Sequence, residues 1–403
     1  MQTGNLIVSV YSDTIANPIA NATVTVLKDD NIIATLKTNE DGKTEIIALD
    51  TVPLEYSEEE QYEVRPYETY DVMVEALGLT PTRVNGVQIF PGITSLQSIY
   101  LTSIDDKQTE TITDVDPNTL WGDYPEQIKD EEEDLISPFV LKRVVIPSNI
   151  IVHDGTPSNS SASNYTVDFV EYIKNVASSE IYSTWPEETI RANVLAIISF
   201  VLNRIYTEWY PTRGYDFTIT STPSYDQKYT RNGTIFEPIA RVVDEIFNDY
   251  IRKGIRLEPL LAHYKSDTTE EGYMSQWGSK YLGDRGYDAL EILKYYYGDE
   301  INLYDATVVS EYPSSFPGVL DIDSCSQDVY LIQNQLNYIR GSYPGIPIIE
   351  NPTGLYDTQT KAAVRKFQSV FELNPTGIVD FATWYQISRI YVAVAKLTNS
   401  IYS

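Results

Sequence analysis

The chain is poor in the residues that most often carry metal and redox chemistry. Among its 403 residues stand one cysteine, Cys325, and two histidines, His153 and His263. A single cysteine closes no intramolecular disulfide, which excludes a small scaffold stapled by bridges. No two of these three residues lie at ligand spacing, so a zinc centre built on His and Cys is not expected, nor is any other cofactor. Cations are short too: 29 Lys and Arg face 58 Asp and Glu, a formal charge of −29. With no basic patch to override it, that field repels phosphate backbones and anionic lipid, so neither nucleic acid nor membrane is an expected partner. Long uncharged apolar runs are absent, and Met1 to Val10 has neither a basic segment nor a continuous apolar stretch. A soluble chain without a secretory signal is therefore expected. Chemistry, if present, must run on carboxylates and hydroxyls.

What is abundant is core-forming material. With 42% hydrophobic and 12% aromatic residues, a chain of this length holds two to four domains of roughly 100 to 200 residues each. From Leu6 to about Thr102 short runs rich in Val, Ile, Thr and Tyr alternate with period two: Leu6 to Tyr11, Ala22 to Leu27, Ile32 to Leu36, Tyr70 to Ala76 and Ser98 to Leu101. Asp41-Gly42, Asn85-Gly86 and Pro91-Gly92 supply the turns. The pattern predicts a β-sandwich over 1–103. Between Asp105 and Asp134, twelve carboxylates face only Lys107 and Lys129. Such a stretch predicts a solvated linker over 104–143, open to proteolysis, with Ser137-Pro-Phe-Val140 as the expected cleavage region.

Beyond Val144 the periodicity turns helical. Asp168 to Glu180 carries apolar residues at 169, 170, 173, 176 and 177, one face of a helix. Thr184-Trp-Pro-Glu187 reads as a capping box with Pro in the first turn, opening a long apolar helix towards Tyr210. Phe236 to Tyr250 and Ala289 to Tyr297 follow as helices, with Tyr215 to Ser221 and Leu257 to Tyr264 extended. This predicts an α+β domain over 144–310, with His153 and His263 as packing residues. After the Pro313 to Pro317 boundary, three helical segments, Asp328 to Arg340, Asp357 to Phe371 and Phe381 to Lys396, fill 318–398.

Motifs in these segments resemble known families. Ile19-Ala-Asn-Ala-Thr-Val followed by Thr38-Asn-Glu-Asp-Gly-Lys-Thr resembles the carboxypeptidase-regulatory-like, prealbumin-type sandwich. The C-terminal segment resembles the three-helix peptidoglycan-binding module, on Val329-Tyr-Leu-Ile-Gln333, Gly354-Leu-Tyr, Thr360-Lys-Ala-Ala-Val-Arg-Lys-Phe-Gln368, Gly377-Ile-Val and Thr383-Trp384. It departs from that family at Thr353, Asp357, Thr376 and Asp380.

The middle domain resembles the SpoIID-like lytic transglycosylase domain, on Glu180-Ile-Tyr-Ser-Thr-Trp185-Pro186, Ser224-Tyr-Asp-Gln227-x-Tyr229 and Ser275-Gln-Trp-Gly278. The order of all three resembles that of spore cortex-lytic enzymes. That resemblance implies Glu180 as the catalytic acid. Tyr182, Trp185, Tyr225, Asp226, Gln227, Tyr229, Ser275, Gln276 and Trp277 are implied as substrate-binding residues. It further implies peptidoglycan of the spore cortex as substrate, action in germination from a location in the spore, and storage as a precursor cut by a subtilisin-like protease. One carboxylic acid suffices for such lysis, since it protonates the leaving oxygen and then helps the muramoyl C6 hydroxyl attack. Lys265-Ser-Asp267 and Ile197 replace residues usual in cortex-lytic relatives, which keeps open a second reading, a binding or structural spore-wall protein with a degenerate catalytic domain.

Overall fold

Alternation of apolar and polar residues becomes paired strands at the N-terminus. The computed structural model describes residues 2–60, 64–104, 110–120, 143–306 and 315–401. Residues 1–53, 67–115 and 314–403 form one unit, and 54–66 with 116–313 form another.

In the first unit β1 (Gln2–Ser12) pairs antiparallel with β4 (Ile47–Thr51) and parallel with β7 (Thr94–Leu101). A second sheet runs β3-β2-β5-β6-β8, from β2 (Thr23–Lys28), β3 (Asn31–Lys37), β5 (Glu68–Glu75), β6 (Thr82–Ile89) and β8 (Thr111–Asp114). Every second residue faces inward, so Leu6, Val8, Val10, Val24, Val26, Val72, Val74 and Ile99 fill one shared core. Three of these strands, β4, β6 and β8, differ from the sequence reading. β6 was masked by the polar Arg83 and Asn85, which belong to a hydrogen-bonded set with Asp71 and Asp114, and β8 lies in the stretch that charge alone assigns to linker. The turn read from Thr38 to Thr44 closes through side chains: Thr38 Oγ1 donates to Ile19 O and accepts from Ala22 N, and Asn39 Oδ1 accepts from Asp41 N and Lys43 N.

The second unit begins with the short helix α1 (Glu55–Glu58). After residue 143 the chain opens with strands rather than helices: β9 (Asn149–His153) pairs with β10 (Asn164–Asp168). Then α2 (Phe169–Glu180) starts where Asp168 accepts from Glu171 N, and α3 (Glu187–Tyr206) follows. Thr184 does not cap α3, contrary to the capping box read from sequence. Pro186 occupies the cap position without a side-chain bond, and the Thr184 hydroxyl donates to Ser57 Oγ at 2.9 Å. α3 is long and apolar enough to cross a membrane by length and composition, yet 89% of its apolar window is buried, as a core helix requires.

Around α3 pack α4 (Glu237–Ile246), α5 (Gln276–Gly283) and α6 (Ala289–Tyr297). The extended elements are short: β11 (Ile219–Thr220), β12 (Ile235–Phe236), β13 (Asp249–Lys253), β14 (His263–Lys265), β15 (Tyr273–Ser275) and β16 (Ile301–Asp305). The helix read through Tyr250 thus stops at Ile246, where β13 leaves to pair with β16. Both histidines pack as expected: His153 stacks on Phe217 and bonds Asn164 and Thr156, and His263 stacks on Tyr273.

The first unit closes with α7 (Gln327–Ile339), α8 (Thr358–Val370) and α9 (Phe381–Ile401). Residues 121–142, which include the expected cleavage region, and the boundary at Pro313 lie outside the described residues.

Candidate functional site

Glu180 is the last residue of α2 and is fully buried. Its Oε1 accepts from Lys228 N at 2.6 Å and its Oε2 from Tyr264 Oη at 2.7 Å, while Gln276 Nε2 donates to its main-chain carbonyl at 3.1 Å. Burial pushes the Glu180 carboxyl up to about 8, although the two donors and the Lys228 charge pull the other way. The group is therefore a neutral acid at pH 7. Tyr264 keeps its own proton, because burial and the neighbouring Glu180 raise its pKa. Behind Tyr264, Gln227 Nε2 donates to Tyr264 Oη at 3.3 Å and to Ile197 O at 3.1 Å, and Gln227 Oε1 accepts from Tyr172 Oη at 3.0 Å. The chain of tyrosine, glutamine and tyrosine fixes the donor against the acid.

The loop after α2 and the start of α5 form a closed aromatic slot, its rings packed on one another. Tyr182, Trp185 and Trp277 meet pairwise, with ring centroids 5.3, 6.0 and 5.1 Å apart. Trp185 is 3% exposed, whereas Tyr182 and Trp277 are half-buried. Trp277 is placed by the start of α5, where Ser275 Oγ accepts from Gly278 N. Gly278 has a steric reason as well: a Cβ there would lie 2.0 Å from Tyr296 Oη.

Several residues implied as sugar contacts are committed to the fold. Asp226 is buried and accepts from Arg204 Nε at 3.1 Å, Tyr210 Oη, Thr220 N at 3.0 Å and Thr220 Oγ1 at 2.8 Å. Its carboxylate anchors the 220–226 turn to α3 and is spent there. Gln227 and Gln276 are fully buried in the bonds above, and Ser275 is a helix cap, so these three position other groups. Tyr229 stacks on Tyr172 at 5.8 Å, and Tyr225 is half-buried on the turn made by its N–H bond to Thr222 O. The structure thus brings Glu180, Tyr182, Trp185, Gln276 and Trp277 to one place and turns Asp226 away. Sequence reasoning missed Tyr264, Lys228 and Tyr172. The main-chain N–H of Lys228 leaves no signal in residue type, and Tyr264 lies 84 residues from its partner.

In the C-terminal helices two buried glutamines repeat one device. Gln333 Oε1 accepts from Thr353 N and Gly354 N, and its Nε2 donates to Leu355 O and Thr360 Oγ1. Gln368 does the same with Gly377 N, Ile378 O and Thr383 Oγ1. Thr353 and Thr376 close their turns by accepting from Leu355 N and Ile378 N, and Asp357 and Asp380 cap α8 and α9 by accepting from Thr360 N and Thr383 N. At Gly354, φ +81°, a Cβ would meet Ser326 O at 2.9 Å. Tyr356, Phe367 and Trp384 are core. Along α8 an open groove is lined by Thr358, Lys361, Ala362, Arg365, Lys366 and Ser369.

Residues 325–387 match a family model described as a peptidoglycan binding domain. No curated protein matches the chain. Among solved structures, a protein from Bacteroides fragilis NCTC 9343 described as membrane-associated and of unknown function is 16% identical over 26% of this chain and 30% of that one, with a TM-score of 0.15. At that score the likeness carries no argument.

Proposed function

We propose that the chain is a cell-wall protein that holds peptidoglycan through α7–α9 and cleaves its glycan strand as a lytic transglycosylase at Glu180. The observation that carries the reading is a buried carboxylic acid, pushed up to about 8, held by two donors beside an aromatic slot. In the reaction Glu180 gives its proton to the glycosidic oxygen of a MurNAc-GlcNAc bond as that bond breaks. The resulting carboxylate then takes the proton of the muramoyl C6 hydroxyl as its oxygen bonds to C1, which leaves a 1,6-anhydromuramic end and a re-protonated acid. Tyr264 and the Lys228 N–H stabilise the transient charge on Glu180. Tethering by the C-terminal module raises the local concentration of strand at the acid, which suits an insoluble polymer.

The finer reading is a spore cortex-lytic enzyme of the SleC type acting in germination, stored as a precursor that a subtilisin-like protease cuts between Asp134 and Val144. It rests on motif order. N-terminal sequencing of the processed form tests it, and a mature start upstream of Asp105 refutes it. Incubating purified chain with isolated cortex and quantifying anhydromuramic ends tests the reaction. Wild type should release them and Glu180→Gln should not, with binding to the polymer unchanged. The second reading, a peptidoglycan-binding structural protein, is favoured by the complete burial of Glu180. It predicts no anhydromuramic ends under any condition.

A further inference from the structure

The aromatic slot is already in contact with polar groups from this chain. Residues 54–66 belong to the same unit as the slot, and α1 lies against it. Trp185 Nε1 donates to the main-chain carbonyl of Ser57 at 2.8 Å, Thr184 Oγ1 donates to Ser57 Oγ at 2.9 Å, and Lys280 Nζ meets the Glu58 carboxylate at 2.9 Å. Ser57 is fully buried by these contacts.

α1 is a poor candidate for a permanent core element. It has four residues, and Glu55, Glu59 and Glu60 around it are exposed. A helix of that length has no stability of its own. Its seating also crowds like charges, since burial and the nearby Asp267 carboxylate push the Glu60 carboxyl up. What it offers the slot is specific: an amide carbonyl for the indole N–H and a carboxylate for Lys280. Lys280 is 6% exposed and bonds Asp284 at 2.7 Å as well as Glu58. Withdrawing Glu58 leaves a buried ammonium with half its pairing, which a ligand carboxylate would restore.

We propose that Trp185, Trp277 and Lys280 form a subsite for an N-acetylated sugar that bears a peptide carboxylate, and that residues 55–58 are a strap that closes it by presenting the same two groups. The acetamido carbonyl takes the place of Ser57 O on the Trp185 indole. The carboxylate takes the place of Glu58 on Lys280, and the sugar ring packs on Trp277. The inference rests on the glycan-cleaving reading for its ligand class, and it adds that the full chain is closed until the strap leaves.

The test uses the full chain and two probes, a GlcNAc-MurNAc-dipeptide and chitobiose, with affinity read by calorimetry and slot opening by hydrogen exchange of residues 178–186. Two strap variants are compared with wild type: Glu58→Ala, and the fourfold E55G/Y56S/S57G/E58S. Any contribution of α7–α9 is common to all of them. In the fourfold variant we expect exchange at 178–186 to accelerate and the dipeptide probe to bind at least tenfold tighter. Chitobiose, lacking a carboxylate, should gain much less, and adding Lys280→Ala should abolish the difference between the probes. Glu58→Ala should give a smaller shift in the same direction. A folded fourfold variant that exchanges faster yet binds both probes as wild type does overturns the subsite. Unchanged exchange overturns the strap. If the opened chain binds the dipeptide probe but produces no anhydromuramic ends from cortex, the subsite stands and the lytic reading falls.

Discussion

Two carboxylates separated by 46 positions show how burial decides a residue's work. Glu180 is buried between two donors, with the Lys228 charge the least of the effects on it, and its carboxyl rises to about 8. Asp226 is buried against Arg204 and is spent on structure. For Glu180 the sign of the linkage is definite: the folded form holds a proton between its ordinary value near 4.5 and 8, so this group's contribution to stability is full below 4.5 and is lost as pH rises through 8. Glu180→Gln should remove that loss, so the variant gains on wild type by up to about 1.4 kcal/mol per pH unit across this window. Denaturant midpoints from pH 5 to 9 measure it. Activity, if the reading holds, should fall above about pH 8 as the acid loses its proton. Because Tyr264 Oη pulls the Glu180 carboxyl down, Tyr264→Phe should move that alkaline limb to higher pH, a readout that simple loosening of the site would not produce. Asp226→Asn should instead cost about 3 to 5 kcal/mol of stability, as expected when one partner of a buried ion pair is removed. The helix that ends on Glu180 was legible from its apolar spacing, while Glu180 itself was singled out only by the family resemblance of the segment through Pro186. The committed state of Asp226 was not, since Arg204 and Tyr210 approach it only once α3 is folded.

At the scale of elements, legibility followed length and capping. α2, α6 and α8 were readable because each pairs a side-chain N-cap, Asp168, Asp288 and Asp357, with a periodic apolar face. Strands of two to five residues leave too few alternations to count, and β9, β13, β15 and β16 went unread for that reason. Thr184 was misread because its hydroxyl serves Ser57, 127 positions away, and no local pattern records that. One unread pair makes a prediction. In the β13–β16 ladder Asp249 stands directly opposite Asp305, and burial together with that neighbour pushes the Asp249 carboxyl up to about 6, against the pull of Arg191. The pair therefore costs stability as pH rises from 3.8 through 6. Asp305→Asn should stabilise the fold at pH 7 by roughly 0.2 to 1 kcal/mol, as for other like-charged cross-strand pairs, and leave stability unchanged at pH 3, with urea unfolding as the measurement.

Over the whole molecule the charge is distributed unevenly, and that distribution bears on binding. Between residues 318 and 398 seven Asp and Glu face six Lys and Arg, so nearly all of the −29 lies elsewhere in the chain. A module with almost no net charge is free to settle on a polymer that itself carries stem-peptide carboxylates, whereas the remainder of the chain is repelled by it. Composition alone made the acidic total legible, but the neutrality of the module emerges only when its boundaries are drawn. Within α8 the groove gathers Lys361, Arg365 and Lys366, of which Lys361 pairs with Asp321 and Lys366 with Asp41, while Arg365 donates to the Thr376 carbonyl and is exposed. Raising salt from about 10 to about 150 mM shortens the screening length from roughly 30 to 8 Å, which removes most long-range repulsion and leaves close contacts largely intact. Sedimentation of the full chain with insoluble peptidoglycan should therefore show retention that rises several-fold over this range and then levels. Arg365→Ala should lower retention at every salt concentration without changing that shape. A monotonic fall from the lowest salt onward would mean instead that the α8 cations, rather than the field of the whole chain, govern association with the wall.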